Sequence, residues 1–381
     1  MSAGLGRAPP TRLFMTADAV GGVWRYALDL SAGLARRGFV VTLAMLGLPP
    51  TDEQRCEAAA IDELTLIETG LPLDWTAEDR VALRRASQHV ARMAVEHAAD
   101  IVHLNTPALA ADAIFPAPIV AVLHSCVATW WECVRGGPLP DDFRWRTQLL
   151  SEGLRSCDVL VVASRAFART VATAYGLKVL PQVVSNGRQV RPIASGGAAT
   201  EPAPAVFTAG RLWDEGKNIA VLDRAAARID AKIYAAGPLV GPNGTSIACQ
   251  HLVTLGSLSS EAIGDWLARR PVYVSTALYE PFGLAVLEAA QARCALVLSD
   301  IPTFRELWDD AALFVPPDDD NAIAAAIVRL LEDDTRRAEW GLAAAQRART
   351  YSIEAFTESM DRIYRGLVPV ARTEPTGVAA A

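Results

Sequence analysis

Short runs of consecutive apolar residues alternate with longer stretches in which apolar positions return every three or four residues. The runs at 12–17, 40–46, 100–105, 119–124, 159–163 and 182–184 predict strands. They are nearly all apolar rather than alternating. Strands covered on both faces have this pattern, so it predicts a parallel sheet with helices on each side. A helical period occupies 23–36, where Val23, Tyr26, Leu30 and Leu34 share one face, and returns at 77–97. At 188–204 (RQVRPIASGGAATEPAP) the periodicity stops, and Gly, Pro and Ala punctuate a segment that reads as an interdomain linker. The alternation then restarts, with strands expected at 205–209, 231–236, 252–255, 272–275, 295–299 and 313–315. Helices are expected at 218–229, 260–268, 283–293, 322–332, 335–350 and 353–367, followed by a frayed tail from residue 372.

The chain therefore predicts an α/β protein of two doubly wound domains. Its length of 381 residues suits two such units. Ligands of such folds bind at the carboxyl ends of the strands, where strand order reverses. Two domains in tandem place the site in the cleft between them.

Composition narrows the function. Hydrophobic residues make up 51% and charged residues 21%, ordinary values for a globular protein with ample core. A formal net charge of -7 argues against wholesale binding to a nucleic-acid backbone. The six cysteines, Cys56, Cys126, Cys133, Cys157, Cys249 and Cys294, form no C-x-x-C pair and match no zinc spacing. They read as free thiols of a reducing compartment. The first ten residues carry no apolar signal core, and the longest apolar runs, about 8–10 residues, are far too short for a membrane span. A cytoplasmic protein is expected. Arg84, Arg85, His89 and Arg92 on the 80–97 helix read first as a solvated helix face and second as a contact for an anionic membrane surface.

The strongest chemical signal is EPFGLAVLE at 280–288. It follows a strand and opens a helix at Gly283, so the free N–H groups of Phe282, Gly283 and Leu284 and the positive helix end point into the cleft. Glu280 lies in the preceding loop and Glu288 on the helix, and both are suited to accept hydrogen bonds from sugar hydroxyls. The second signal is GRLWDEGKN at 210–218. Gly210 permits a close turn, and Arg211 and Lys217 supply a fork donor and a point charge for one diphosphate, unless they are loop cations paired with Asp214 or Glu215. The pair Gly21-Gly22 after the first strand allows backbone N–H groups to approach a ligand, but it lacks the full dinucleotide fingerprint. His124 and His103 end apolar strands. Trp130 and Trp131, in the segment 128–140, suit either a loop that selects an acceptor or a packed loop.

These segments together resemble family 4 of the retaining glycosyltransferases, with GT-B architecture: two Rossmann-like domains facing across a cleft. The resemblance runs from Arg12 to about Leu367, and its specific part is the E-x7-E frame from Glu280 to Glu288. The GR…K stretch, the glycine pair, His124 and the turn Ser185-Asn186-Gly187 also match. Where the family often has Asp after that turn, this chain has Arg188-Gln189. The resemblance implies an N-terminal acceptor-side domain over 1–190, a nucleotide-sugar domain over 205–352, and a last helix at 353–367 crossing back to the first domain. It implies that Arg211 and Lys217 bind the donor diphosphate. Glu280 and His124 would then contact the donor sugar, and Glu288 the ribose. Gly21, Gly22, Gly210, Phe282, Gly283 and Leu284 would line the same donor. The implied reaction is metal-independent transfer with retention, by same-face attack in preference to double displacement, from a nucleoside-diphosphate sugar, UDP first and GDP next, to an unidentified hydroxyl acceptor. No cofactor is implied. A nucleotide-sugar epimerase, a phosphorylase or a non-catalytic nucleotide-sugar binder on the same architecture are the alternatives.

Overall fold

The computed structural model of the chain describes residues 10–19, 21–189, 205–242 and 244–368. Most of the expected linker and the whole of the tail lie outside these residues. The first half runs β1 (Thr11–Asp18), α1 (Gly22–Ala35), β2 (Phe39–Leu46), α2 (Asp52–Ala59), β3 (Leu64–Glu68), α3 (Arg80–Glu96) and β4 (Ile101–Leu104). It continues through β5 (Ile119–Val122), α4 (Val127–Val134), α5 (Asp141–Ser156), β6 (Val159–Val162), α6 (Arg165–Tyr175) and β7 (Gln182–Val183). These strands form one seven-stranded sheet in the order β3-β2-β1-β4-β5-β6-β7, and every pairing is parallel.

The second half runs β8 (Val206–Ala209), α7 (Ile219–Ala226), β9 (Ile233–Ala236), β10 (Val253–Gly256), α8 (Ser260–Ala268), β11 (Val272–Ser275) and α9 (Leu284–Gln291). Then come β12 (Leu296–Ser299), α10 (Pro302–Trp308), β13 (Leu313–Val315), α11 (Asp320–Leu331), α12 (Asp334–Ala348) and α13 (Ile353–Leu367). Its six strands are also all parallel, in the order β10-β9-β8-β11-β12-β13. Strand order reverses beside β1 in the first sheet and beside β8 in the second. The glycine pair follows β1, and the 210–217 turn follows β8. The Glu280 loop follows β11, the neighbour of β8 across the reversal.

Several elements differ from expectation. Val127–Val134 is a helix, where the Trp130-Trp131 segment was expected to be a loop. The short helix α2 carries no apolar period, because only Ala58 of it is buried; its local signal is a capping box between Thr51 and Gln54. Helices α5, α6 and α10 were also unforeseen. α6 has a readable start, since Ser164 accepts a hydrogen bond from Phe167 N, and Gly176 closes it in the left-handed region. Arg188, placed at the head of the linker by its sequence, is instead a buried residue.

On α3, Arg80 is salt-bridged to Asp112 and Glu152, and Arg84 to Asp112, while Arg85, His89 and Arg92 are exposed. No helix among the described residues is long and apolar enough to cross a membrane. All six cysteines are unpaired, with Cys126 and Cys294 buried.

Helix α13 returns to the first sheet. Ile353, Phe356, Met360 and Tyr364 form a helical stripe that joins Leu13, Met15, Leu30 and Leu34 in one core. The approach to α1 is close: a Cβ on Gly33 would lie 2.2 Å from Thr357 Oγ1. Phe356 is 2% exposed and its ring centroid lies 5.1 Å from that of Tyr26. Phe356→Ala should therefore cost about 3–5 kcal/mol in denaturant unfolding; a loss below about 1 kcal/mol would mean that α13 does not dock in solution.

Candidate active site

The three loops at the strand-order reversals meet. Gly283 caps α9 with φ 92, a left-handed conformation that disfavours any side chain, and no side chain caps the helix in its place. The α9 N-terminus thus keeps N–H groups available for an anion. A Cβ on Gly283 would lie 3.4 Å from Glu280 Cγ, and one on Gly210 3.9 Å from Lys217 Cε. The glycine pair closes over these loops from the other domain. A Cβ on Gly21 (φ 77) would lie 3.7 Å from an Arg211 terminal nitrogen, and one on Gly22 3.3 Å from Leu284 Cδ1. Gly21, Gly22, Gly210, Arg211, Lys217, Glu280, Gly283 and Leu284 are therefore one cluster. Phe282 contributes its backbone only; its ring is buried and meets Tyr351 edge-on at 5.6 Å.

The two cations are held by acids. Lys217 Nζ lies 2.5 Å from Glu280 Oε2, and Arg211 lies 2.9 Å from Asp214 Oδ2. Burial pushes the Asp214 carboxyl up, but Arg211 and the Trp130 indole N–H outweigh that, and it lies below its ordinary range. Asp214 Oδ1 accepts both Gly216 N–H at 2.9 Å and Trp130 Nε1–H at 3.0 Å. Trp130 is thus a brace from α4 onto the 214–217 turn. Gly216 makes room for it, since a Cβ there would lie 2.7 Å from the indole nitrogen. Trp131 packs on Trp130 and Phe143.

His124 stands at the carboxyl end of β5, on the first-domain wall. Its Nε2 is 2.7 Å from Asn105 Oδ1, and its ring meets Tyr26, one turn into α1 from Gly22, edge-on at 4.6 Å. His103 Nε2 lies 3.0 Å from the same Asn105 oxygen, and His103 Nδ1 lies 2.6 Å from the Tyr364 hydroxyl. Asn105 Nδ2 donates to Thr16 O, a pure acceptor, at 2.7 Å, which fixes the amide orientation. Both histidines must then carry their proton on Nε2 and donate to Oδ1, while Tyr364 donates to His103 Nδ1. Burial lowers the His103 pKa to about 4 and the His124 pKa to about 3. His124 is a neutral imidazole at pH 7, with Nδ1 as an acceptor. His103 is wholly enclosed and supports this network from beneath.

Glu288 projects from α9 and is salt-bridged to Arg188, which also reaches Asp29 of α1 at 2.7 Å. Arg188 and Asp29 were not foreseen as site residues; the one signal was that an arginine replaces the usual sequence after the Asn186-Gly187 turn. Burial pushes the Asp29 carboxyl up against the pull of Arg188. Further polar contacts tie the halves together. Ser164 Oγ donates to Pro281 O at 2.8 Å, and Glu306 accepts N–H groups of Arg165 and Ala166 at the start of α6. Tyr279 and Thr129 share a hydrogen bond of 2.9 Å. Of the acids at 318–320, Asp319 caps α11 and Asp320 is salt-bridged to Arg228.

Two parallel α/β domains facing across a cation-lined cleft have the GT-B architecture, and the comparisons place the chain among the glycosyltransferases. Residues 20–190 match the family model Glycosyltransferase Family 4, and residues 203–333 match Glycosyl transferases group 1. Together the two matches make the chain a glycosyltransferase, with family 4 matched over its first half. It is 31% identical over 117 residues to a phosphatidyl-myo-inositol mannosyltransferase of Mycolicibacterium smegmatis, a stretch covering 30% of this chain and 30% of that protein. Its fold is similar to sucrose-phosphate synthase from Thermosynechococcus elongatus (TM-score 0.75, 18% identity, 94% of this chain and 99% of that one). It is also similar to Anabaena Alr3699/HepE solved with UDP-glucose (TM-score 0.71, 18% identity, 94% and 100%).

The buried His103 makes stability depend on pH. Its folded pKa lies below its unfolded value of 6.5, so the unfolded chain takes up the proton first on acidification. The stabilisation is complete above pH 6.5 and is lost as the pH falls toward about 4, at up to about 1.4 kcal/mol per pH unit. Urea unfolding at pH 7 and pH 5 should show this loss together with that of His124, whose pKa is lowered in the same direction, and His103→Gln should remove the His103 share. An equal loss in both proteins would contradict the assignment.

Proposed function

We propose that the protein transfers a sugar, with retention, from a nucleoside-diphosphate sugar to an acceptor hydroxyl. The observation that carries this reading is the convergence of Arg211, Lys217 and the uncapped α9 N-terminus beneath the Gly21-Gly22 turn. As the glycosidic bond to the diphosphate breaks, negative charge grows on the leaving phosphate. The two cations and the helix N–H groups stabilise that charge in a partly water-excluded cleft. In the absence of donor, Asp214 and Glu280 hold the cations. An arriving diphosphate takes their place against Arg211 and Lys217, and the released Glu280 is free to accept sugar hydroxyls. His124 offers its Nδ1 lone pair to a hydroxyl of the same sugar.

Retention is assigned to same-face attack, with the leaving phosphate accepting the acceptor proton. Asp214 is held by Gly216 N–H and the Trp130 indole as well as by Arg211, and Glu280 is assigned to the sugar hydroxyls, so neither is assigned as a nucleophile. Trapping of a covalent glycosyl–enzyme would overturn this step. UDP is the first choice of donor nucleotide, supported by the UDP-glucose complex of Alr3699/HepE on the same architecture, and GDP is the next.

Lys217→Ala should lower kcat/KM by roughly 10²–10³ with the fold intact, as judged by circular dichroism. Unchanged turnover would remove Lys217 from the diphosphate site. Thermal-shift titration with UDP, GDP and ADP should single out one nucleotide, and a hundredfold excess over its Kd should add about 2.7 kcal/mol of stability. Consumption of donor without any acceptor product, or binding without consumption across an acceptor library, would replace the transferase reading by an epimerase or a binder.

A further inference from the structure

We infer that Arg188 is a positioning residue for the donor nucleoside: it orients Glu288 from the hinge and anchors that orientation on Asp29 of the opposite domain. The inference rests on the donor reading above, in which Glu288 meets the ribose.

Arg188 follows the Asn186-Gly187 turn where the chain leaves the first sheet, and its side chain is only 7% exposed. A buried guanidinium persists only where acids face it, and here each terminal nitrogen has one. One donates to Asp29 Oδ2 on α1 and the other to Glu288 Oε1 on α9. Burial alone would lower the Arg188 pKa, but Glu288 and Asp29 outweigh it and keep the guanidinium charged.

The backbone at Arg188 is also fixed. Its N–H donates to Tyr351 O at 3.3 Å, and its carbonyl accepts Gln291 Nε2–H, from the end of α9, at 3.0 Å. A Cβ on Gly187 would lie 2.2 Å from Ser352 O, so the turn is pressed against the segment that enters α13. The arginine therefore projects from a rigid base.

Glu288 gives one oxygen to Arg188. Its Oε2 takes no hydrogen bond among the described residues, and 28% of its side chain is open. A vicinal diol offers two donors to a carboxylate, and a glutamate free to rotate would lose rotamer entropy on binding it. Arg188 removes that freedom in advance. Because the other half of the guanidinium is held by Asp29, the orientation exists only while the two domains are apposed. Binding of the ribose and closure of the cleft thereby favour one another.

The test uses whichever of UDP, GDP and ADP the wild type binds, together with its 2′,3′-dideoxy counterpart. The wild type should bind the ribose form about tenfold or more tightly than the dideoxy form by calorimetry. In Arg188→Met that ratio should fall toward one, with a matching rise in donor KM and a smaller change in kcat; Arg188→Lys should recover part of it. Asp29→Asn/Arg188→Met removes the acid left unpaired and supplies a folded variant should the single one fail to fold; it should lack the discrimination too. A purely structural role would lower stability without moving the ratio. A folded Arg188→Met, or the double variant, that keeps the wild-type ratio overturns the inference alone. A wild type that binds no nucleoside diphosphate overturns the donor reading, and this inference with it.

Discussion

A strand that is apolar on both faces must be covered on both faces, and the architecture follows from that constraint. Coverage on both sides needs crossover helices, crossovers make neighbouring strands parallel, and parallel strands deliver every βα loop to the same edge. β1 and β8 each have a neighbour on either side that belongs to a different run of the chain, so the loops beside them diverge and leave a crevice. The glycine pair, the 210–217 turn and the Glu280 loop follow β1, β8 and β11 and so fall at those crevices.

The seam between the halves is of a different nature. Its contacts are mostly hydrogen bonds and ion pairs: Ser164 to Pro281, Glu306 to the start of α6, Trp130 to Asp214, Arg188 to Asp29 and Glu288. Several of these polar groups are buried, and apolar contacts such as Phe167 with Tyr279 accompany them. Lys217 and Arg211 are not bare: Glu280 and Asp214 hold them in ion pairs of 2.5 and 2.9 Å, which on the proposed donor reading keeps them near a bound diphosphate and reduces the reorganisation on binding.

Much of this was legible in the chain. Apolar runs such as 295–299 and 119–124 announce parallel strands because burial on both faces writes directly into composition. The stretch from Glu280 to Glu288 announces its helix start because Gly283 must adopt a positive φ there. Other parts were not. α2 buries one residue and has no apolar period to show. Trp130 reads the same whether it stacks on a ligand or braces a turn 84 positions away. The support beneath His124 joins Asn105, His103 and Tyr364, the last two separated by 261 positions, and no spacing rule connects them. Arg188 was visible as a departure from a pattern, but its meaning depends on Asp29, which arrives from a helix 159 residues earlier.

The return of α13 orders the synthesis of the molecule as well as its packing. A ribosome that has released every strand of the first sheet has not yet made Phe356, Met360 or Tyr364, which close the face carrying Leu13, Met15 and Leu30. The second sheet lies wholly between these two moments, so its core is complete while the first still shows an apolar groove along α1. The domain begun first is finished last. Every premature stop before the final helix leaves a chain with that groove open, and such a chain is marked for chaperones and proteases by its exposed surface.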